Sequence, residues 1–159
     1  MTTSDWTANR DYVSPSLANR AAGGGAIWLI GRVVLGGLFL MSGIQKLSGI
    51  DRFAASLTKN GIPDQFAPML AWLGAMVETI GGLCIVLGFA TSWASLVLIA
   101  FTIAAAFIAH RFWQAPPNAR MMQTAHFQKN MMIAGAFCLL YVAGGGPYSI
   151  DRWRRLRKS

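Results

Sequence analysis

Four long apolar runs divide an otherwise polar chain, at residues 26–48, 66–89, 91–112 and 127–146. Their lengths of 23, 24, 22 and 20 residues each suffice to cross a hydrocarbon layer ~30 Å thick at ~1.5 Å per residue. Backbone groups in lipid must be satisfied within their own segment, so these runs predict helices. No alternation of period two accompanies them, which excludes a transmembrane barrel. The pattern therefore predicts an all-α fold, a four-helix transmembrane bundle running up-down-up-down, with both termini on one face (side A) and two long loops on the other (side B). Residues 1–25 read as a polar, flexible N-terminal tail, with Ala21-Ala22-Gly23-Gly24-Gly25 as a lead-in. Residues 26–146 form the membrane domain and residues 147–159 a basic C-terminal tail. The tail at 1–25 has no apolar core of its own, so the first span reads as a signal anchor. Spans two and three meet near Ala90 in a tight hairpin. Gly49–Gln65 and Trp113–His126 read as polar loops.

Composition strengthens this picture. A chain of 159 residues with 54% hydrophobic and 13% charged residues carries too much apolar surface for a soluble domain of one core, and too much for disorder. The net charge of +8 is concentrated in Arg152, Arg154, Arg155, Arg157 and Lys158. A basic cluster following an apolar run suits anionic lipid headgroups, and no basic-aromatic groove or nucleic-acid module accompanies it. Flanking cations number seven on side A and six on side B. The density of the C-terminal cluster places both termini in the cytoplasm. Cys84 and Cys138 form no CxxC motif, so neither a metal centre nor a dithiol redox pair is expected, and both read as small apolar residues.

Polar residues inside the runs are the candidate chemistry. Glu78 lies at the middle of the second run, in one stripe with Gly74, Gly81 and Gly88. A carboxylate there must be paired, protonated or working. On the first run Arg32, Gly36, Phe39, Gly43 and Lys46 also share one face. Depth counted from side A brings Arg32 within reach of Glu78, predicting an intramembrane Arg32–Glu78 pair. On side B, Gln45, Lys46, His110, Arg111, His126, Gln128, Lys129 and Asn130 cluster at three span ends. Of these Lys46, His110, Lys129 and Asn130 are the candidates for binding a polar headgroup, because they combine donors with groups able to exchange a proton. Interfacial capping is the competing reading. Asn130, Ala134, Phe137 and Tyr141 form a packing stripe on the fourth run. Haem ligation by His110 and His126 is disfavoured by their place at the membrane edge.

Several motifs occur together in a familiar order. Gly31-Arg32-Val33-Val34-Leu35-Gly36-Gly37-Leu38-Phe39 is followed by Gly43-Ile44-Gln45-Lys46-Leu47, Gly61-Ile62-Pro63 and Glu78-Thr79-Ile80-Gly81-Gly82. His110-Arg111-Phe112-Trp113, Phe127-Gln128-Lys129-Asn130 and Gly146-Pro147-Tyr148-Ser149-Ile150-Asp151 complete the set. In this order and frame the chain resembles the DoxX family of small bacterial membrane proteins across residues 31–151. The resemblance implies a four-helix protein of the plasma membrane. It also implies a link to thiosulfate:quinone oxidoreduction or to membrane thiol homeostasis. On that reading the protein is a quinone-side or anchoring subunit serving a redox partner protein, with an oxidoreductase role shared rather than self-contained. Quinone would be its cofactor, and the sequence leaves room for an oligomer. A non-enzymatic scaffold or small-solute transporter is the alternative, though no pair of broken spans supports transport.

Overall fold

The computed structural model describes the backbone of residues 15–158 and side chains from Gly24 onward. Among the described residues all six elements are helices: α1 (Pro15–Ser48), α2 (Ile50–Lys59), α3 (Ala67–Leu87), α4 (Thr91–Ala109), α5 (Pro117–Ala143) and α6 (Ile150–Leu156). Among the described residues three stretches are long and apolar enough to span a membrane, namely Gly24–Ser48, Ala67–Leu87 and Thr91–Ala109. α5 has the length, but Gln128, Lys129 and Asn130 interrupt its apolar half.

Three expectations need correction. The Gly-rich lead-in at residues 21–25 is part of α1, which begins at Pro15; residues 1–14 of the expected tail lie outside the described residues. The segment expected as a loop at residues 49–65 contains α2, with no buried residue. Its apolar positions Ile50, Phe53, Ala54 and Leu57 recur at helical spacing and give it one apolar face. The basic tail, in turn, contains α6, opened by Ser149, whose hydroxyl accepts from the Arg152 N–H at 3.2 Å.

α1 and α3 run antiparallel at very short range. A Cβ on Gly36 would lie 2.8 Å from the Gly82 carbonyl oxygen, one on Gly82 2.5 Å from the Leu40 nitrogen, and one on Gly43 against the Thr79 backbone. Small residues at these levels let two backbones touch, which is how helices associate where burying apolar surface gives no advantage over lipid. α3 packs on α4 through Gly81 and Leu98. The core joins Ile85, Leu98, Phe137 and Leu140, and the Phe39 and Phe137 rings meet edge to face at 5.1 Å. Large apolar side chains such as Leu38, Leu73, Val97 and Leu139 point outward, as a lipid-facing surface requires. The tight hairpin is Gly88-Phe89-Ala90. Gly88 ends α3 at φ 65° and Ala90 opens α4 at φ 47°, two left-handed residues that reverse the chain within one turn.

Candidate functional site

The helix register decides which charges meet. Gly43 lies against Thr79 and Gly36 against Gly82 and Ile85, so Lys46 stands about one turn from Glu78. Lys46 Nζ binds Glu78 Oε2 at 2.5 Å and donates to Ser42 Oγ at 2.9 Å. The Glu78 side chain is 7% exposed and that of Lys46 27%; the ammonium is the reachable member. Phe53 of α2 sits over it, 5.2 Å from ring centre to Nζ. Arg32 stands instead beside Gly88, where a Cβ would strike its guanidinium. Ten residues of α3 separate Gly88 from Glu78, ~15 Å of helix, beyond an arginine's reach. The expected Arg32–Glu78 pair is therefore replaced by Lys46–Glu78. Glu78 is interior and paired, as its position required, but to a cation from the opposite end of α1.

Arg32 serves a different structure, a clasp at side A. It is 3% exposed and donates through its two terminal nitrogens to the carbonyls of Gly145 and Tyr148, the latter at 2.6 Å. Its Nε has no acceptor among the described residues. One turn earlier on α1, Trp28 donates to the Gly144 carbonyl at 3.2 Å. The segment between α5 and α6 is thus tied to α1. Asp151 ties it to the hairpin: its carboxylate accepts from the N–H groups of Ala90 and Thr91 and from the Thr91 hydroxyl, each at 2.8 Å. It thereby caps the start of α4, which has no capping side chain of its own. Burial pushes the Asp151 carboxyl up, but the Thr91 and Ala90 hydrogen bonds and nearby Arg155 outweigh it and hold the group below the usual carboxylate range. Gly145 fits only because it lacks a side chain, since a Cβ would lie 2.7 Å from Ser149 and 2.8 Å from the Thr91 hydroxyl.

The other side B candidates gather on the α4–α5 half. His110 Nδ1 lies 3.0 Å from Gln123 Oε1; a carbonyl oxygen only accepts, so in this orientation Nδ1 carries the proton. The rings of His110 and His126 stack with centroids 5.0 Å apart, and Lys129 Nζ lies 3.5 Å from His126 Nδ1. Asn130 is half-buried, and its side chain makes no hydrogen bond among the described residues. No hydrogen bond, ion pair or ring contact among the described residues joins this set to Lys46, so the single cluster expected at three span ends is two. Among the described residues no group of three metal-ligating side chains occurs. Cys84 is half-buried, while Cys138 faces outward rather than into the core, and both are free. Sequence reading passed over Ser42, Gln123 and Asp151. Ser42 precedes Lys46 by four residues and Gln123 precedes His126 by three, spacings that place each pair on one helix face. Asp151 gave no comparable local signal.

The comparisons agree with one another. The DoxX family model matches residues 27–111. Inner membrane protein YphA of Escherichia coli K12 is 36% identical over 125 residues, covering 78% of this chain and 87% of the relative. Inner membrane protein YqjF of the same organism is 33% identical over 124 residues, covering 78% and 88%. No solved structure matches. The matched region holds the α1–α3 seam, the Lys46–Glu78 pair and the α3–α4 hairpin, and on this evidence the chain belongs to the DoxX family of integral inner membrane proteins.

Proposed function

We propose that this protein is the quinone-side or anchoring subunit of a membrane redox system linked to thiol or sulfur chemistry. The observation that carries the reading is the Lys46 ammonium, which has three donors, gives one to Glu78 and one to Ser42, and keeps the third. A donor held inside a spanning bundle suits a quinone carbonyl oxygen. Two electrons from a partner protein and two protons from the water phase turn a quinone into a quinol. At such a site the Lys46 ammonium would hold a carbonyl oxygen by a hydrogen bond, with Glu78 keeping the ammonium in position. His110, Lys129 and Asn130 stand on the neighbouring half as secondary headgroup contacts. In this reading α5 is the fourth span and both termini are cytoplasmic. Reporter fusions at residue 55 and residue 118 should then agree with each other and oppose one at the C terminus.

The close α1–α3 seam favours a second reading, a non-enzymatic scaffold in which Lys46–Glu78 is structural glue. Quinone retention by protein purified into nanodiscs separates the two. The combined Lys46→Ala and Glu78→Gln variant, which leaves no stranded charge, should lose the bound quinone while keeping a folded bundle. Equal quinone content in both proteins, or none in either, selects the scaffold.

A further inference from the structure

An open depression of about 320 Å³ lies on side B between the end of α2 and the α4–α5 connection. Ten residues line it and none is acidic. Two are cations, Lys59 and Arg111, and three more, Asn60, Gln114 and Gln123, carry amides. Arg111 is anchored at its root, with Nε donating to the Phe107 carbonyl at 3.3 Å. Its terminal nitrogens lie along Gly61, where a Cβ would stand 3.4 Å and 3.8 Å from them, and Gly61 holds φ 87°. Neither terminal nitrogen of Arg111 nor the Lys59 ammonium has an acceptor among the described residues. Gln123 uses its oxygen on His110, which leaves its NH₂ as a donor. A concavity rich in unspent donors, with two positive charges and no carboxylate, is chemically complementary to a negatively charged group.

We propose that this depression binds a phosphate-class oxyanion, with Arg111 as the planar fork that grips two oxygens and Lys59 as the second charge. The fork geometry favours a tetrahedral anion with paired oxygens over a halide. Gly61 is part of the device. A side chain there would be strained at its backbone angle of φ 87°. The same chemistry is presented by free phosphate arriving from water and by the phosphodiester of an anionic phospholipid arriving from the bilayer. The site is distinct from the Lys46–Glu78 pair, neither member of which lines it.

The test uses the full chain in nanodiscs. In one arm the lipid is phosphatidylcholine and inorganic phosphate is titrated by calorimetry at constant ionic strength. In the other, phosphatidylglycerol is added stepwise and retained lipid is counted by native mass spectrometry. Saturable binding in either arm identifies the source. It should weaken about tenfold or more in Arg111→Gln, since a hydrogen bond to a charged group is worth roughly 1.5–3 kcal/mol. Lys59→Gln should weaken it less, while Arg52→Gln, on α2 but outside the depression, should leave it unchanged. Both substitutions in the depression are at surface positions and should preserve the melting temperature. Absence of saturable binding in both arms overturns the proposal. So does equal loss in Arg52→Gln, which would mark a response to net charge alone.

Discussion

Arg32 and Lys46 are cations of the same helix face, fourteen residues apart, and they are used in opposite ways. Arg32 spends both terminal nitrogens on backbone carbonyls and is closed in by Gly88 and the segment after α5. Lys46 gives one donor to a carboxylate and one to a hydroxyl, stays partly exposed, and keeps a donor unspent. The same contrast holds between the two ends of the molecule. At side A, Arg32 and Asp151 turn inward to fasten α1, the α3–α4 hairpin and α6 together. Side B holds donors in reserve, at Lys46, in the histidine stack and in the basic depression. Charge bonded to backbone fixes a fold, because carbonyls neither titrate nor leave. Charge bonded to side chains, or to nothing, can exchange partners.

The largest expected effect lies at side A. Arg32→Leu leaves the Gly145 and Tyr148 carbonyls without their donor, and should lower stability by roughly 3 kcal/mol, as the sum of two charge-assisted bonds. Arg32→Lys should recover less than half, since one ammonium cannot span both oxygens as a fork does. Melting temperature and SDS resistance of the solubilised protein measure both. A neutral outcome for Arg32→Leu would erase the distinction between the two cations.

Glu78→Gln comes next, at about 1–2 kcal/mol, because the half-exposed Lys46 can turn toward side B once its partner is neutral. A double-mutant cycle between positions 46 and 78 should show coupling of about 1 kcal/mol. The cycle between positions 32 and 78 should be additive within ~0.5 kcal/mol. Coupling in the second cycle and none in the first would restore the pairing that depth counting suggested.

That pairing shows where sequence reading stops. The lengths of the apolar runs are enough to locate the spans of α1, α3 and α4, and the stripes of Gly36 and Gly43 on α1 and of Gly74, Glu78 and Gly81 on α3 are enough to mark interior faces. Which cation sits opposite Glu78 depends on the vertical register of two helices. That register is set by Gly43 against Thr79 and Gly36 against Gly82, a long-range contact with no local trace. Counting depth from the start of an apolar run also fails when the helix begins earlier, as α1 does at Pro15. α2 was passed over because a search for membrane-length runs ignores a ten-residue helix. The Asp151 cap was passed over because its donors are sixty residues away.

Asp151 gives a smaller, pH-dependent effect. Its carboxyl is held below the ordinary value near 3.8, so its contribution is present above that value and disappears as pH falls through the lowered one. Asp151→Asn keeps the shape but replaces a charged acceptor of three hydrogen bonds, and should cost about 1 kcal/mol at neutral pH. The gap in melting temperature between the wild type and this variant should be constant from pH 7 to about pH 5 and narrow as pH falls below 3.8. A gap that persists at low pH would assign the loss to packing rather than to charge.

The smallest expected effect is the one that tests side B. His110 is half-buried, makes one side-chain hydrogen bond to Gln123, and stacks on His126. A neutral bond of this kind near water contributes about 0.5–1.5 kcal/mol, and truncation lets water take the place of the imidazole. His110→Ala should therefore lower stability by less than ~1 kcal/mol, with Gln123→Ala costing no more. The pair should couple weakly in a cycle, because each survivor can find water. The informative comparison is with Arg32→Leu in the same detergent on the same scale. If His110→Ala costs as much as Arg32→Leu, the histidine stack is a second clasp and side B is fastened like side A. If it costs little while lowering quinone retention, the group is held in place without holding the fold, as a side chain that must exchange partners requires.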